Sequence, residues 1–437
     1  MTRLVYNLLL RLLFPLLFVV LVIRGWRNPQ VAIPWRERLA YRSPPLPPGV
    51  GAPLWVHAVS LGEVQAAAAL VAALRRRDPR RAMLCTVGTL TGMQRARAVF
   101  APQLADGGAP VVLAYAPMDL TGAVRRFLAH FQPAALVLLE MEIWPNLLKA
   151  CDSRSIPVAI ASARLSAQSA RRYRKIGRTL MLSALRRIQV IATQGADDAA
   201  RFVEVGARPE QVHVAGNLKI DFALPARLAE RGTALRNAWG GTRAWVAGST
   251  HAGEESACLA AQRHLESRLG SSAPLLILVP RLTGRFAEVA DDLATRGVVF
   301  ARRSDGAPPL PANARVLLVD TLGELLDFYA AADAAFVGGT LVPVGGHNLL
   351  EPAALGLPVV CGPHTHNGPQ IARLLESAGA LRVVESGESL GAVLEQWFTD
   401  DVARAQAGAA GRAAVEANRG AVERCVEILA PMLPAPL

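Results

Sequence analysis

Short apolar runs alternate with helix-length segments along almost the whole chain. Such runs stand at 54–59, 82–87, 111–115, 134–139, 157–161, 188–192 and 212–215, each followed by a stretch long enough for a helix. Continuous apolar strands separated by helices predict a parallel sheet covered on both faces. A second series runs 244–248, 274–279, 297–301, 315–319, 333–337, 357–361 and 381–384, and the chain closes in helical pattern from about 388 to 432. The expected fold class is therefore α/β with two doubly wound domains. In such sheets ligands bind beyond the carboxyl ends of the strands, so two of them facing each other would create a cleft.

Ahead of the first strand the pattern differs. Leu4 to Ile23 is apolar apart from Asn7 and Arg11, with Pro15 inside, and its unbroken part, Leu12 to Ile23, is shorter than the roughly 20 residues of a clean membrane span. No small-residue cleavage site follows, so the segment is expected to be retained as an anchor. Arg24, Arg27, Arg36 and Arg38 outnumber Arg3 before it. That bias places the body of the protein in the cytoplasm. Tyr41 to Pro53, rich in proline and glycine, reads as a linker. The predicted organisation is an anchor at 1–27, a basic and Pro-rich linker at 28–53, a first domain at 54–222 and a second at 223–437.

Composition agrees with two well-filled cores. The chain has 437 residues, of which 52% are hydrophobic, and its five cysteines lie far apart without C-x-x-C spacing. That length suggests two domains, and the cysteine spacing argues against a disulfide framework or a zinc site. A net charge of +12 implies an anionic partner. The basic residues are not interleaved with base-stacking aromatics, so no nucleic acid is expected.

Four stretches carry candidate chemistry. In Trp55 to Glu63 an apolar strand ends in Ser60, Gly62 and Glu63 before an Ala-rich helix pattern. An acid at a helix start is held ionised by the helix dipole, as a general base requires. An ordinary strand-turn-helix junction would use the same residues. Leu139 to Asn146 sets Glu140 and Glu142 at alternate positions, where strand geometry would send them to opposite sides. Glu142 is then expected as a helix N-terminal acid before Pro145. Arg164 to Arg187 interleaves Arg171, Arg172, Arg174, Lys175, Arg178, Arg186 and Arg187 with apolar residues such as Tyr173 and Ile176. Such a basic amphipathic helix rests on anionic lipid, recognises phosphate, or is simply a solvated face.

The second domain contributes Gly338-Gly339-Thr340, Gly345-Gly346-His347-Asn348-Leu349-Leu350-Glu351 and Gly362-Pro363, which read as strand, glycine loop, helix, strand. A helix starting near Gly346 would offer unpaired N–H groups to a phosphate, with Glu351 accepting from ribose hydroxyls and His347 and Asn348 donating.

These stretches, with Ala161 to Ser166, Gly216-Asn217-Leu218-Lys219-Ile220-Asp221 and Gly248-Ser249-Thr250-His251-Ala252-Gly253-Glu254-Glu255, together resemble the bacterial 3-deoxy-D-manno-octulosonic acid (Kdo) transferases of lipopolysaccharide synthesis. The resemblance extends from the anchor almost to the C-terminus. It implies the GT-B fold, two facing Rossmann-like domains. It also implies inverting, metal-independent transfer of Kdo from CMP-Kdo to lipid IVA, the tetraacyldisaccharide bisphosphate precursor of lipid A. In that resemblance Glu63 matches the general base, and Glu140 and Lys219 match transition-state stabilisers. The CMP site maps to Pro280 and Arg281, to Leu322, Gly323 and Glu324, and to Asn348, Leu349, Leu350 and Glu351. Ser249, Thr250, Gly346 and His347 border the donor. A basic first domain with an anchor suits a bisphosphorylated lipid acceptor and the anionic lipids of the inner membrane.

The chain departs from the family pattern at Met141, where a Thr is usual, and at Leu282-Thr283, where His-Pro is usual. The second change removes a donor near the nucleotide. No Asp-x-Asp occurs, in keeping with an expected absence of metal and of any other cofactor. Two other readings share parts of the pattern: a GT-B enzyme using a UDP-sugar, and a membrane-tethered protein without catalysis.

Overall fold

The structure is a computed structural model that describes residues 2–27, 33–59, 61–105, 107–175, 178–306 and 313–435. The chain divides into two units, residues 1–222 with 418–437, and residues 223–417.

The first unit is built on seven parallel strands: β1 (Leu54–His57), β2 (Met83–Val87), β3 (Val111–Tyr115), β4 (Ala135–Leu139), β5 (Val158–Ala163), β6 (Val190–Thr193) and β7 (Val212–Val214). Their order is β3-β2-β1-β4-β5-β6-β7, so the winding reverses between β1 and β4, which pair in register from Leu54 with Ala135 to His57 with Leu138. Both strands are wholly buried, as the unbroken apolar runs require. The second unit repeats the plan with β8 (Ala244–Thr250), β9 (Leu275–Pro280), β10 (Phe300–Arg302), β11 (Val316–Leu318), β12 (Ala334–Val337), β13 (Val359–Cys361) and β14 (Leu381–Val383). Its order, β10-β11-β9-β8-β12-β13-β14, reverses between β8 and β12. All pairings are parallel in both sheets, and each sheet is packed on two apolar layers.

Eight helices matter below: α1 (Arg3–Arg27), α2 (Trp35–Arg38), α3 (Leu61–Arg77), α4 (Pro145–Asp152), α5 (Ala167–Lys175), α6 (Glu254–Leu269), α7 (Leu350–Ala354) and α8 (Ala421–Leu429). Helix α1 contains an 18-residue window of mean hydropathy 2.3, long and apolar enough to cross a membrane. Among its described residues none is fully buried.

Two expectations change. The C-terminal residues expected with the second domain return to the first, where Ala421, Val422, Cys425 and Leu429 of α8 join the core beneath β1, β4 and α3. Asp221 fixes this return, its carboxylate accepting from the amides of Gly420 at 2.8 Å and Val422 at 2.6 Å. Those are donors a helix start leaves without intrahelical partners. The basic stretch 164–187 is not one continuous helix across its described residues. It forms α5 and a second helix, Arg178–Leu185, while Ile176 lies outside the described residues.

Candidate active site

The first site forms where the strand order of the first sheet reverses, the usual place for a ligand in an open parallel sheet. Glu63 lies in the first turn of α3, is only 6% exposed, and its Oε2 accepts from the amide of Val59 at 2.7 Å. The acid is thus held over the helix start by backbone and dipole together. Ser60, between them, lies outside the described residues.

Glu140 follows β4 in the left-handed region, at φ 57°. That conformation costs a non-glycine residue about 1–3 kcal/mol and clusters at functional sites. The Lys219 ammonium donates to Glu140 Oε1 at 2.5 Å. Lys219 arrives on a single turn, Leu218–Ile220, after β7, with its own amide held by Asn217 Oδ1 at 3.0 Å. Its stem passes Gly62 so closely that a Cβ there would lie 3.4 Å from Lys219 Cε. The three residues predicted for chemistry are therefore gathered at one place.

Glu142 joins them. The left-handed turn at Glu140 ends the strand alternation that would have separated the two acids, and Glu142 lies in the electrostatic field of both Glu63 and Glu140. It does not cap α4, contrary to the expectation of a helix N-terminal acid there. The amides of Asn146 and Leu147 are taken by Asp119 at 3.0 and 2.8 Å, and Glu142 Oε2 instead accepts from the Trp144 indole at 2.6 Å. Burial first, then the repulsion of Glu63 and Glu140, pushes the Glu142 carboxyl up to about 7, against the pull of the Trp144 hydrogen bond and the Arg38 charge. The Arg38 guanidinium lies 5.9 Å from the Trp144 ring and donates to the Ala116 carbonyl. His57 is buried edge-on to the indole at 5.4 Å, with Nδ1 2.8 Å from Thr86 Oγ1. Burial drives His57 down to about 3, so it is neutral.

The second site lies at the reversal of the second sheet. Gly338 runs so close to β8 that a Cβ would sit 2.5 Å from the Ser249 carbonyl oxygen, and Ser249 itself turns left-handed at φ 59°. Buried Glu254, at the start of α6, gathers the glycine turn by accepting from Gly339 at 2.7 Å, from Thr340 and Leu341 at 2.9 Å, and from His251 at 2.9 Å. His251 Nε2 is 2.8 Å from His347 Nε2, with the rings stacked. Burial, then the Arg281 charge, brings His347 down to about 4. The Arg281 amide donates to the Thr250 carbonyl, which seats the Pro280-Arg281 pair beside this cluster. Thr250 is fully buried.

The glycine loop differs from its expected form. The helix begins at Leu350, not near Gly346, and has only five residues. The amides of Gly345, Gly346 and His347 donate back to Gly339 and Gly338 instead of standing unpaired. Asn348 Oδ1 accepts from the Leu350 amide at 3.1 Å, while Leu349 and Leu350 are core residues at 4% and 1% exposure. Any contact those two leucines make with a ligand is through backbone. Glu351 acts electrostatically on buried Tyr329. After β11, Leu322 is exposed, Gly323 is left-handed, and Glu324 is held in a fork by Arg303, 2.7 Å from Nη2, and by the Thr321 hydroxyl. Those bonds, led by Arg303, keep Glu324 below the usual carboxylate range.

Glu254 and Asp119 are site organisers that sequence reasoning passed over. The signal for Glu254 was its place just after the Gly248 to Gly253 turn; for Asp119 no local signal exists, since the helix it caps starts 26 residues later.

Two doubly wound parallel sheets, each gathering its polar residues at its strand-order reversal, define a protein of the GT-B class. Residues 34–222 match the family described as 3-deoxy-D-manno-octulosonic-acid transferase (kdotransferase). The chain is 37% identical over 440 residues to the 3-deoxy-D-manno-octulosonic acid transferase of Haemophilus influenzae, covering 99% of each. It is 38% identical to the enzyme of the same name from Bordetella pertussis, over 98% of this chain and 99% of that one. The crystal structure of UDP-GlcNAc 2-epimerase from Neisseria meningitidis bound to UDP-GlcNAc shares the fold, with a TM-score of 0.58 at 13% identity over 87% of this chain and 100% of that one. The chain belongs to the 3-deoxy-D-manno-octulosonic acid transferase family and is a glycosyltransferase.

Proposed function

We infer that the chain transfers Kdo from CMP-Kdo to lipid IVA, the tetraacylated disaccharide bisphosphate precursor of lipid A, with inversion and without a metal ion. The observation that carries this reading is the gathering of Glu63, Glu140 and Lys219 at one strand-order reversal. Glu63 takes the proton of the acceptor hydroxyl as that oxygen attacks the anomeric carbon of Kdo. The bond from that carbon to the phosphate oxygen breaks and CMP departs with the electron pair. Lys219 offsets the charge growing on CMP, and Glu140 the positive character of the sugar. A nucleoside monophosphate carries less charge than a diphosphate, so a lysine suffices where other sugar transferases use a cation.

The donor is held by the second unit. Pro280, Arg281, Leu322, Gly323, Glu324 and the segment Asn348 to Glu351 bind CMP, and Ser249, Thr250, Gly346 and His347 border the sugar. Helix α1 anchors the protein in the inner membrane, with the catalytic units on the cytoplasmic side and basic residues such as Arg171 and Arg172 of exposed α5 toward anionic lipid. Nucleic acid is not a partner.

The test is product formation from CMP-Kdo and the lipid A precursor in detergent with a chelator present, read by mass spectrometry. A gain of one or more Kdo units supports donor, acceptor and metal independence together. No gain alongside turnover of a UDP-sugar moves the protein to another branch of the GT-B enzymes.

A further inference from the structure

Among the described residues α1 is the one helix long and apolar enough to cross a membrane, yet it carries Tyr6, Asn7 and Arg11. Two of these three polar residues have partners in the folded body. The Tyr6 hydroxyl donates to Asp119 Oδ2 at 2.9 Å, and Asn7 Oδ1 accepts from Asn146 Nδ2 at 2.6 Å. Asn146 also donates to the Asp119 carbonyl at 2.7 Å, and the Asp119 carboxylate caps α4 through the amides of Asn146 and Leu147. Four residues thus close a network between the start of α1 and the loop that carries Glu140, Glu142 and Trp144.

The contact continues along the helix. Tyr6, Asn7, Leu10, Phe14, Phe18, Leu21, Val22 and Gly25 are the half-shielded positions, and their spacing of three and four describes a single face. Phe14 and Phe18 pack on Trp35, with ring centroids at 6.2 and 4.4 Å. At 1.5 Å per residue the docked face is about 28 Å long, close to the roughly 30 Å hydrocarbon thickness of a bilayer. Were α1 to cross the bilayer, this face would draw the first unit through the hydrocarbon with it. Arg11, exposed near the middle of the helix, would stand deep in hydrocarbon, which is costly. With the helix lying flat, Arg11 reaches the headgroups. Leu8, Leu9, Leu12, Leu13, Leu16 and Val20 form the outward face.

We propose that α1 lies flat in one leaflet and is latched to the first unit by Tyr6 and Asn7 through Asp119 and Asn146. The latch sets the depth at which the carboxylate loop meets a membrane-embedded acceptor. Asp119 and Asn146 are then positioning residues for transfer, a role that rests on the lipid acceptor inferred above.

The test uses the full chain with Tyr6→Phe and Asn7→Leu together. This pair removes the latch from the helix side alone, keeps α1 apolar and leaves the Asp119 cap of α4 intact. Transfer to acceptor in lipid vesicles is expected to fall by about tenfold or more, as loss of positioning does. Transfer to detergent-dispersed acceptor stays near that of the unaltered chain, and both proteins sediment with vesicles. Unchanged transfer in vesicles, or equal losses in both formats, overturns the proposal. A second measurement does not depend on the acceptor: Asn7→Cys with Asn146→Cys, treated in membranes with a short bismaleimide, is expected to join the two peptides. Absence of that cross-link overturns the flat, latched helix even where transfer proceeds. The cross-link without transfer to any lipid acceptor leaves the latch and refutes the acceptor.

Discussion

Lys219 donates to Glu140 Oε1 at 2.5 Å, and this pair joins the turn after β7 to the loop after β4 across the top of the first sheet. Both side chains are about a quarter exposed, at 27% and 20%. Solvent therefore screens the pair, and its contribution to stability is modest, about 1 kcal/mol. Its larger effect is geometric, because each charge holds the other at the strand-order reversal. Lys219→Met and Glu140→Gln are each expected to lower kcat by about 10²–10³. The double variant is expected to lose less than the product of the two, the mark of groups acting together. Steady-state kinetics on the two single variants and the double checks this.

Glu63→Gln keeps the size of the side chain and its capping oxygen, so the fold and the bond from the Val59 amide are expected to survive. Transfer is expected to fall by about 10²–10⁴, the range for loss of a general base. CMP binding, assigned to the other unit, is expected to be unchanged in calorimetry. Loss of both together would count against that division of labour. A fully active Glu63→Gln would leave the acid as a helix cap only.

Glu142 gives a pH dependence whose sign follows from its direction of shift. Its folded value of about 7 lies above the ordinary 4.5, because burial, Glu63 and Glu140 all disfavour its charge while Trp144 and Arg38 only partly offset them. Between those two pH values the folded chain holds a proton that the unfolded chain has lost. Stability from this group is therefore fully present below about 4.5 and is lost as pH rises through 7. Glu142→Gln retains an acceptor for the Trp144 indole and does not titrate. Its melting temperature is expected to match the unaltered chain at pH 4.5 and to exceed it increasingly toward pH 8. Parallel curves across that range would remove Glu142 from the carboxylate cluster.

The strands were legible because a buried parallel strand is apolar along most of its length, and each of the fourteen runs predicted from sequence overlaps an observed strand, although β5, β6, β8, β9 and β10 continue one or two residues past the run. The destination of α8 was not. An amphipathic helix records that it has a buried face but not which sheet covers it, and the tie that decides, Asp221 to Gly420 and Val422, joins residues 199 and 201 positions apart. The α4 start shows the same limit. Glu142 and Asp119 are both acids able to cap it, and only the path of the chain after β3 puts Asp119 there. Glu140 was placed on the wrong geometry because nothing in its side chain announces a positive φ.

Asp221 offers a direct check on that returning helix. Removing the carboxylate in Asp221→Ala leaves the amides of Gly420 and Val422 without it and is expected to cost about 1–2 kcal/mol, the scale of a lost helix cap. Chemical denaturation measures it. Asp221 directly follows the single turn Leu218–Ile220 that carries Lys219, so kcat is expected to fall as well, with KM for CMP-Kdo little changed. A stability loss with unaltered kcat would separate the helix from the catalytic lysine.

Gly338 and Gly240 test whether the second unit's strand-order reversal binds the donor. A methyl group on Gly338 would meet the backbone of Ser249 and Thr250 at 2.5 to 2.8 Å, where no flexible side-chain tip can give way. β8 and β12 must then part, and overpacking of this kind costs about 1–3 kcal/mol. Gly240 is left-handed at φ 80° with nothing within 4 Å of a built Cβ, so Gly240→Ala costs only its backbone conformation, about 1–2 kcal/mol. The two substitutions are thus comparable in stability but differ in place. Gly338→Ala is expected to abolish CMP binding measured by calorimetry, because it displaces Ser249, Thr250 and the turn that Glu254 gathers. Gly240→Ala is expected to bind CMP normally. Equal affinity in both variants would place the nucleotide away from the β8–β12 reversal.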